Sequence, residues 1–400
     1  MARVVITGAG TVNALGRDPA QTMAAMAAGQ VGIGPLDIRD ADRLIAPIGA
    51  QVKAWAPETL FTVREISLYD RATQFAVWSA AQAVAQAGLD LSGALAARTG
   101  VVLGTAGGGL GTTDDNYRAV YEERKDRVHP FTVPRLMHSA AVSHLSMIHG
   151  LRGPAFTVST ACASANHAMG LAFQMVRAGA APVMLTGGAE GMLTFGGIKA
   201  WEGLRVMARS ACRPFSAGRE GMVMGEGAAV FVFEDRDHAL ARGATPLAEV
   251  AGFAMAADAG DIVMPQQEGA EALMRAALAD AGMEPGQVGY INAHGTGTLA
   301  NDRVESAAIR AVFGPAPPPV SSTKSMHGHC IGATGAVELL ACLLALNAGV
   351  LPPTMGWQAQ DPECLEDVLP NAARRAGVEA VLSNAFAFGG LNAALVLRRA

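Results

Sequence analysis

The chain alternates two hydrophobic patterns. Short, mostly apolar runs at residues 4–7, 99–103, 183–186, 228–233, 248–252, 288–293, 380–383 and 393–397 fit strands buried on both faces. Between them, apolar residues recur at helical spacing over 71–87, 269–281 and 302–312. This order predicts an α/β protein with a mostly parallel sheet covered by helices. The first run enters Gly8-Ala9-Gly10-Thr11-Val12-Asn13. A dinucleotide fingerprint would need glycine where Asn13 stands, so the segment is expected to be a tight strand-to-loop turn. A charged break at 235–246 and a resumed strand–helix order predict a duplicated architecture, with halves 1–250 and 251–400.

Composition sharpens this picture. Half of the 400 residues are hydrophobic but only 5% aromatic, and glycine alone supplies 47, so the buried surfaces must be built from small side chains in close approach. The net charge of −5 comes without a basic stripe, which argues against nucleic acid. The longest apolar stretch, within 335–351, is broken by Glu338 and Asn347 and is short for a membrane span. With no charged-then-apolar leader in the given sequence, the expectation is a soluble, cytoplasmic protein without membrane association. The five cysteines are scattered and contain no Cys-x-x-Cys pair, so each is a small buried hydrophobe or a reactive thiol.

Four segments carry residues suited to chemistry. In Ser159-Thr160-Ala161-Cys162, Thr160 or Ser159 is a candidate N-cap, placing Cys162 in the first turn of a buried helix where free N–H groups favour thiolate. Nucleophile and buried structural cysteine both remain open there. His294, in His294-Gly295-Thr296-Gly297-Thr298, ends a buried strand, where α/β folds place ligands. Asp302 and Glu305, one turn apart, either serve the site or simply cap the next helix. Lys324 and His329 are polar islands in a Gly- and Ala-rich stretch. His327-x-His329-Cys330 has no fourth ligand at useful spacing, which disfavours a metal site. Phe388-Gly389-Gly390 offers a flexible loop at a strand end. One thiol, two histidines and a lysine form a nucleophile-and-donor set for acyl transfer through cysteine.

These segments, in this order, resemble the elongating β-ketoacyl-acyl carrier protein synthases of the thiolase superfamily. Val5-Ile6-Thr7-Gly8, Arg213-Pro214-Phe215, Gly225-Glu226-Gly227 and Phe388-Gly389-Gly390-Leu391-Asn392 extend the likeness over essentially the whole chain. The resemblance implies a thiolase-like, duplicated α-β-α-β-α layered fold with mixed sheets. It implies Cys162 as the acyl-accepting nucleophile, and His294 and His329 as the pair assisting malonyl decarboxylation. Lys324 is implied to tune them while paired with Glu305. The backbone N–H groups of Cys162 and Phe388 match the oxyanion hole, and the Phe388 ring matches a gate. No cofactor is implied, since decarboxylation supplies the carbanion. The implied partners are an acyl carrier protein bearing acyl and malonyl groups, and a second subunit in a homodimer or a heterodimer with a related synthase subunit.

Chain-initiating relatives carry asparagine where His329 stands, and non-catalytic chain-length factors lack the nucleophile. Several positions depart from the usual pattern: Ser216 for aspartate, Ala387 for the glycine before the gate, Leu391 for threonine, and His327 for a small or hydroxyl residue. Alanine at 387 is expected to stiffen the loop by resisting positive φ. Together with a shortened stretch at 203–212, these departures direct the expectation towards a specialised polyketide or polyene pathway.

Overall fold

The computed structural model describes residues 2–400. Ten strands form one sheet: β1 (Val4–Asn13), β2 (Gly100–Gly104), β3 (Ala155–Val158), β4 (Val183–Glu190), β5 (Gly227–Asp235), β6 (Ala248–Ala257), β7 (Tyr290–Asn292), β8 (Val320–Ser321), β9 (Ala380–Ala385) and β10 (Leu391–Arg398). Their order is β8-β7-β9-β10-β6-β1-β5-β4-β2-β3. Outward from the centre, each half runs antiparallel, antiparallel, parallel, parallel, so the two five-stranded halves repeat one topology. The sheet is therefore mixed, and the expectation of a mostly parallel sheet is corrected. Buried antiparallel and parallel strands carry the same mostly apolar runs, so strand direction leaves no mark on that pattern. The halves join through a short antiparallel ladder in which Val4, Val5 and Ile6 face Val250, Glu249 and Ala248.

The turn expected at Gly8 is also corrected, because β1 continues through it to Asn13. The glycines serve packing instead. A Cβ on Gly8 would lie 2.0 Å from the Ala83 carbonyl oxygen, and one on Gly10 1.9 Å from that of Ser79. Both oxygens belong to α1 (Arg71–Ala87), which the Asp70 carboxylate caps at Ala72 N–H and Gly88 ends at φ 62°. Helix α1 thus lies directly on the strand backbone.

Three apolar clusters define the layers. One sets α1 on the outer face of the first half-sheet, through Phe75, Ala80, Val230 and Val232. A second sets α3 (Gln267–Ala281) and α4 (Leu299–Phe313) on the outer face of the other half. Between the half-sheets, α2 (Ser164–Arg177) and α5 (Thr334–Ala348) share the third and largest cluster with inward residues of both, such as Phe231 and Leu395. This is the layered α-β-α-β-α arrangement that the resemblance implies. The stretch Ile331–Ala348 is long and apolar enough to cross a membrane, but here it is the buried central helix with its leading turn.

Candidate active site

The two central helices begin alike. A three-residue 3₁₀ turn, Ala161–Ala163, leads into α2, and Ile331–Ala333 leads into α5. The first residue of each takes a positive φ, 47° at Ala161 and 42° at Ile331, a strained conformation for a residue with a Cβ. A hydroxyl starts each helix and folds back. Ser164 Oγ accepts Thr160 N–H at 2.9 Å, and Thr334 Oγ1 lies 2.8 Å from His329 Nδ1. Cys162 is the middle residue of the first turn, so it precedes α2 and does not lie in its first turn. Neither Thr160 nor Ser159 caps that helix, whose N-cap position is Ala163.

Cys162, His294 and His329 converge, with one sulfur or nitrogen atom from each within 4.8 Å of the others, and all three are buried. The two imidazoles stand edge to face, centroids 5.5 Å apart. Burial pushes the Cys162 thiol up to about 11, against the Lys324 charge and the N–H groups of Phe388 and Cys162, which hydrogen-bond towards it. The expected bias to thiolate is therefore outweighed by desolvation, and the resting group is a thiol. Both histidines are held well below the usual imidazole range, by burial first and then by Lys324 and by a neighbouring histidine, so both rest neutral.

The hydrogen bonds of His329 settle its tautomer. Its Nδ1 accepts the Ile331 N–H at 3.2 Å, so the proton sits on Nε2. That Nε2–H is buried and has no partner among the described residues, leaving it a free donor at the thiol. The same three side chains are the set that could approach a metal ion. With its proton on Nε2, however, His329 offers a donor where a ligand lone pair would be needed. His327 and Cys330 do not belong to the set.

Lys324 is fully buried and donates to the His294 carbonyl oxygen and, at 2.7 Å, to Glu338 Oε1. The expected pairing of Lys324 with Glu305 is thereby corrected. Glu305 instead accepts the backbone N–H groups of His294 (2.8 Å) and Gly295 (2.7 Å), and burial raises its carboxyl to about 7. Asp302 accepts Phe215 N–H at 2.7 Å and Gly297 N–H at 3.2 Å and faces Arg219 at 3.5 Å. Helix capping falls to Thr298, whose hydroxyl accepts Asn301 N–H. The two carboxylates thus fasten the loop that carries His294.

Sequence reasoning missed Glu338, which it treated only as an interruption of an apolar stretch. A carboxylate inside an apolar helix needs a buried cation, and that was the available signal. It also missed Glu190, whose carboxylate takes the N–H groups of Ala106, Gly107 and Gly332, tying the loop after β2 to the turn beside His329.

A cavity of about 270 Å³ opens onto Cys162, His294 and His329, walled by Trp201, Met264 and Phe388. The Phe388 ring stacks on Trp201, centroids 5.8 Å apart. Ala387 is extended (φ −117°), while Gly389 and Gly390 take the positive φ values. The expected stiffening at Ala387 therefore has no basis in backbone strain.

Residues 1–239 match the family described as the β-ketoacyl synthase N-terminal domain, and 247–358 the β-ketoacyl synthase C-terminal domain. The chain is 47% identical over 399 residues to nodulation protein E of Rhizobium leguminosarum bv. trifolii, covering 99% of both. It is 38% identical over 407 residues to 3-oxoacyl-[acyl-carrier-protein] synthase 2 of Coxiella burnetii, covering 99% of this chain and 98% of that one. Among solved structures, the ishigamide ketosynthase/chain length factor superposes with a TM-score of 0.96 at 33% identity, over 100% of this chain and 99% of that one. The chain belongs to the β-ketoacyl synthase family and is an acyltransferase-type synthase.

Proposed function

We propose that the protein elongates a carrier-bound acyl chain by decarboxylative Claisen condensation. The observation that carries this reading is the convergence of the Cys162 thiol with one histidine fixed as a donor and a second free to exchange a proton. In the first half-reaction, Cys162 Sγ attacks the acyl thioester of an acyl carrier protein. His294 takes the thiol proton, because His329 Nε2 already holds one, and returns it to the departing carrier thiolate. The N–H groups of Cys162 and Phe388 receive the tetrahedral oxyanion. In the second, malonyl-carrier loses carbon dioxide. His329, and His294 once its ring proton has shifted to the nitrogen facing the site, hydrogen-bond the enolate oxygen, and the carbanion attacks the Cys162 thioester carbonyl. The C–S bond breaks, a solvent proton restores the thiol, and the 3-oxoacyl carrier is two carbons longer. No cofactor enters this scheme. Lys324 supports it by holding the His294 carbonyl, with Asp302 and Glu305 fastening the loop.

In this reading the chain works as two halves, 1–250 bringing the nucleophile and 251–400 the histidines. It acts as a homodimer. The likeness to a nodulation protein, with the aromatic Trp201–Phe388 wall, favours a specialised acyl chain over the general fatty-acid range. A second reading, a pocket-shaping subunit of a heterodimeric synthase with little activity alone, draws on the similarity to a ketosynthase/chain length factor.

Purified protein given a panel of acyl-carrier thioesters and malonyl-carrier discriminates between them. Intact-mass acylation of Cys162 and brisk carbon dioxide release from the chain alone are expected; acylation without turnover would favour the subunit reading. His294→Ala and His329→Ala are each expected to lower condensation by roughly 10²–10⁴-fold while leaving measurable acylation. Equal condensation by either variant and the unchanged protein would remove that histidine from the scheme.

A further inference from the structure

His327 is absent from the scheme above, yet its setting is specific. It is fully buried at the end of the single helical turn Lys324–His327. Its Nε2 lies 2.9 Å from Thr323 Oγ1, and its Nδ1 has no partner among the described residues. Thr323 is the N-cap residue of that turn, but its hydroxyl makes no cap hydrogen bond. The hydroxyl oxygen instead accepts from Asn292 Nδ2 at 3.4 Å. Asn292 ends β7, two residues before His294.

The proton directions follow from the donors. The Asn292 amide can only donate through Nδ2, so Thr323 Oγ1 is the acceptor there and its own proton is free for the imidazole. That hydroxyl proton has no other acceptor among the described residues, so His327 Nε2 accepts it, which requires a neutral ring. One chain of hydrogen bonds therefore runs from the strand end bearing His294, through Thr323, to the turn bearing Lys324. Lys324 closes the loop by donating to the His294 carbonyl and to Glu338. A small apolar residue at 327 could not make this bond to Thr323.

We infer that His327 is a positioning residue for condensation: by accepting the Thr323 hydroxyl proton it holds Lys324 and His294 in register. It touches neither substrate nor thiol, and the inference rests on the proposed condensation. Its effect falls on the decarboxylation and carbon–carbon bond-forming half, where both histidines must donate together. The first half-reaction, which needs only one proton acceptor beside the thiol, is spared.

The test compares His327→Phe, His327→Gln, Thr323→Val and the double variant Thr323→Val/His327→Phe, with carrier-bound acyl and malonyl substrates. His327→Phe keeps the ring shape without the acceptor. It is expected to lower kcat for condensation about tenfold, the scale of one lost buried hydrogen bond. KM for malonyl-carrier and the Cys162 acylation rate should stay within about twofold. His327→Gln, whose Oε1 can accept, should recover most of the loss, and the double variant should lose no more than either single one. The inference is overturned if His327→Phe condenses like the unchanged protein, if acylation and condensation fall in parallel, or if the single losses multiply. Should His327→Phe fail to fold, Thr323→Val alone decides, since normal condensation by that variant sinks the idea. Absence of turnover by the unchanged protein would instead be a failure of the proposed function, and is measured first.

Discussion

Cys162→Ala is expected to show no acyl adduct by intact mass after incubation with acyl-carrier thioesters, and condensation should fall by roughly 10⁴-fold or more. The reason is that no other described thiol can substitute. Cys212, Cys330, Cys342 and Cys364 are buried as well, and none joins the sulfur–imidazole cluster. An adduct of wild-type yield in the variant would disprove the nucleophile. A pH series on the unchanged protein tests the state of the thiol. With the Cys162 thiol raised to about 11, roughly one molecule in 10⁴ is thiolate at pH 7. Because the group is an acid whose pKa is raised, thiolate accumulates only as pH climbs. Alkylation by iodoacetamide should therefore rise about tenfold per pH unit from 6.5 to 9.5 with no plateau. A plateau beginning near pH 7 would mean that the N–H groups and Lys324 outweigh burial. In the proposed reaction the small thiolate fraction is no obstacle, since His294 removes the proton during attack.

Glu338→Ala is expected to be the most destabilising of the charge removals, costing about 3–5 kcal/mol in urea unfolding. It strips a fully buried ammonium of its only carboxylate partner among the described residues while leaving it in the apolar centre of the molecule. The paired replacement Lys324→Met/Glu338→Leu removes both charges and fills the volume, so it should recover most of that stability. It should not recover condensation, because the His294 carbonyl loses its donor. That split separates the two jobs of the ion pair. If the paired variant condensed normally, Lys324 would have no part in holding His294. If Glu338→Ala were as stable as the unchanged protein, the pair would carry no structural weight.

These variants also mark where the sequence was legible. The reactive segments were, because each is a dense local motif whose glycines and polar residues have no role in an ordinary core. Helix α1 was read to its ends from its helical apolar spacing, and Asp70 and Gly88 are the residues that cap it. Strand direction was not, because apolar runs look alike in either sense. Nor was the partner of Lys324: Glu305 is closer in sequence to His294, but whether a carboxylate reaches an ammonium or a backbone N–H depends on where α4 and α5 pass, which no local pattern encodes. Glu338 looked like a flaw in an apolar helix until the fold brought Lys324 to it. Ala387 was misjudged for the same kind of reason, since the positive φ values fell one and two residues beyond Phe388.

The paired 3₁₀ turns have one further consequence. Around them, neighbours pack with no room for a side chain: a Cβ on Gly188 would lie 2.9 Å from that of Ala165 and 3.0 Å from Ala333 Cα, and one on Gly332 would lie 2.4 Å from Ala106 N. Cys162 hangs from one side of this seam and His329 from the other, so its thickness sets the distance between the thiol and the His329 donor. A single methyl group there acts as a wedge, prising sulfur from imidazole without touching either. The residues least able to accept a larger side chain here are therefore ones that never meet a substrate, and the scarcity of large side chains in this chain is the tolerance to which its reactive atoms are machined.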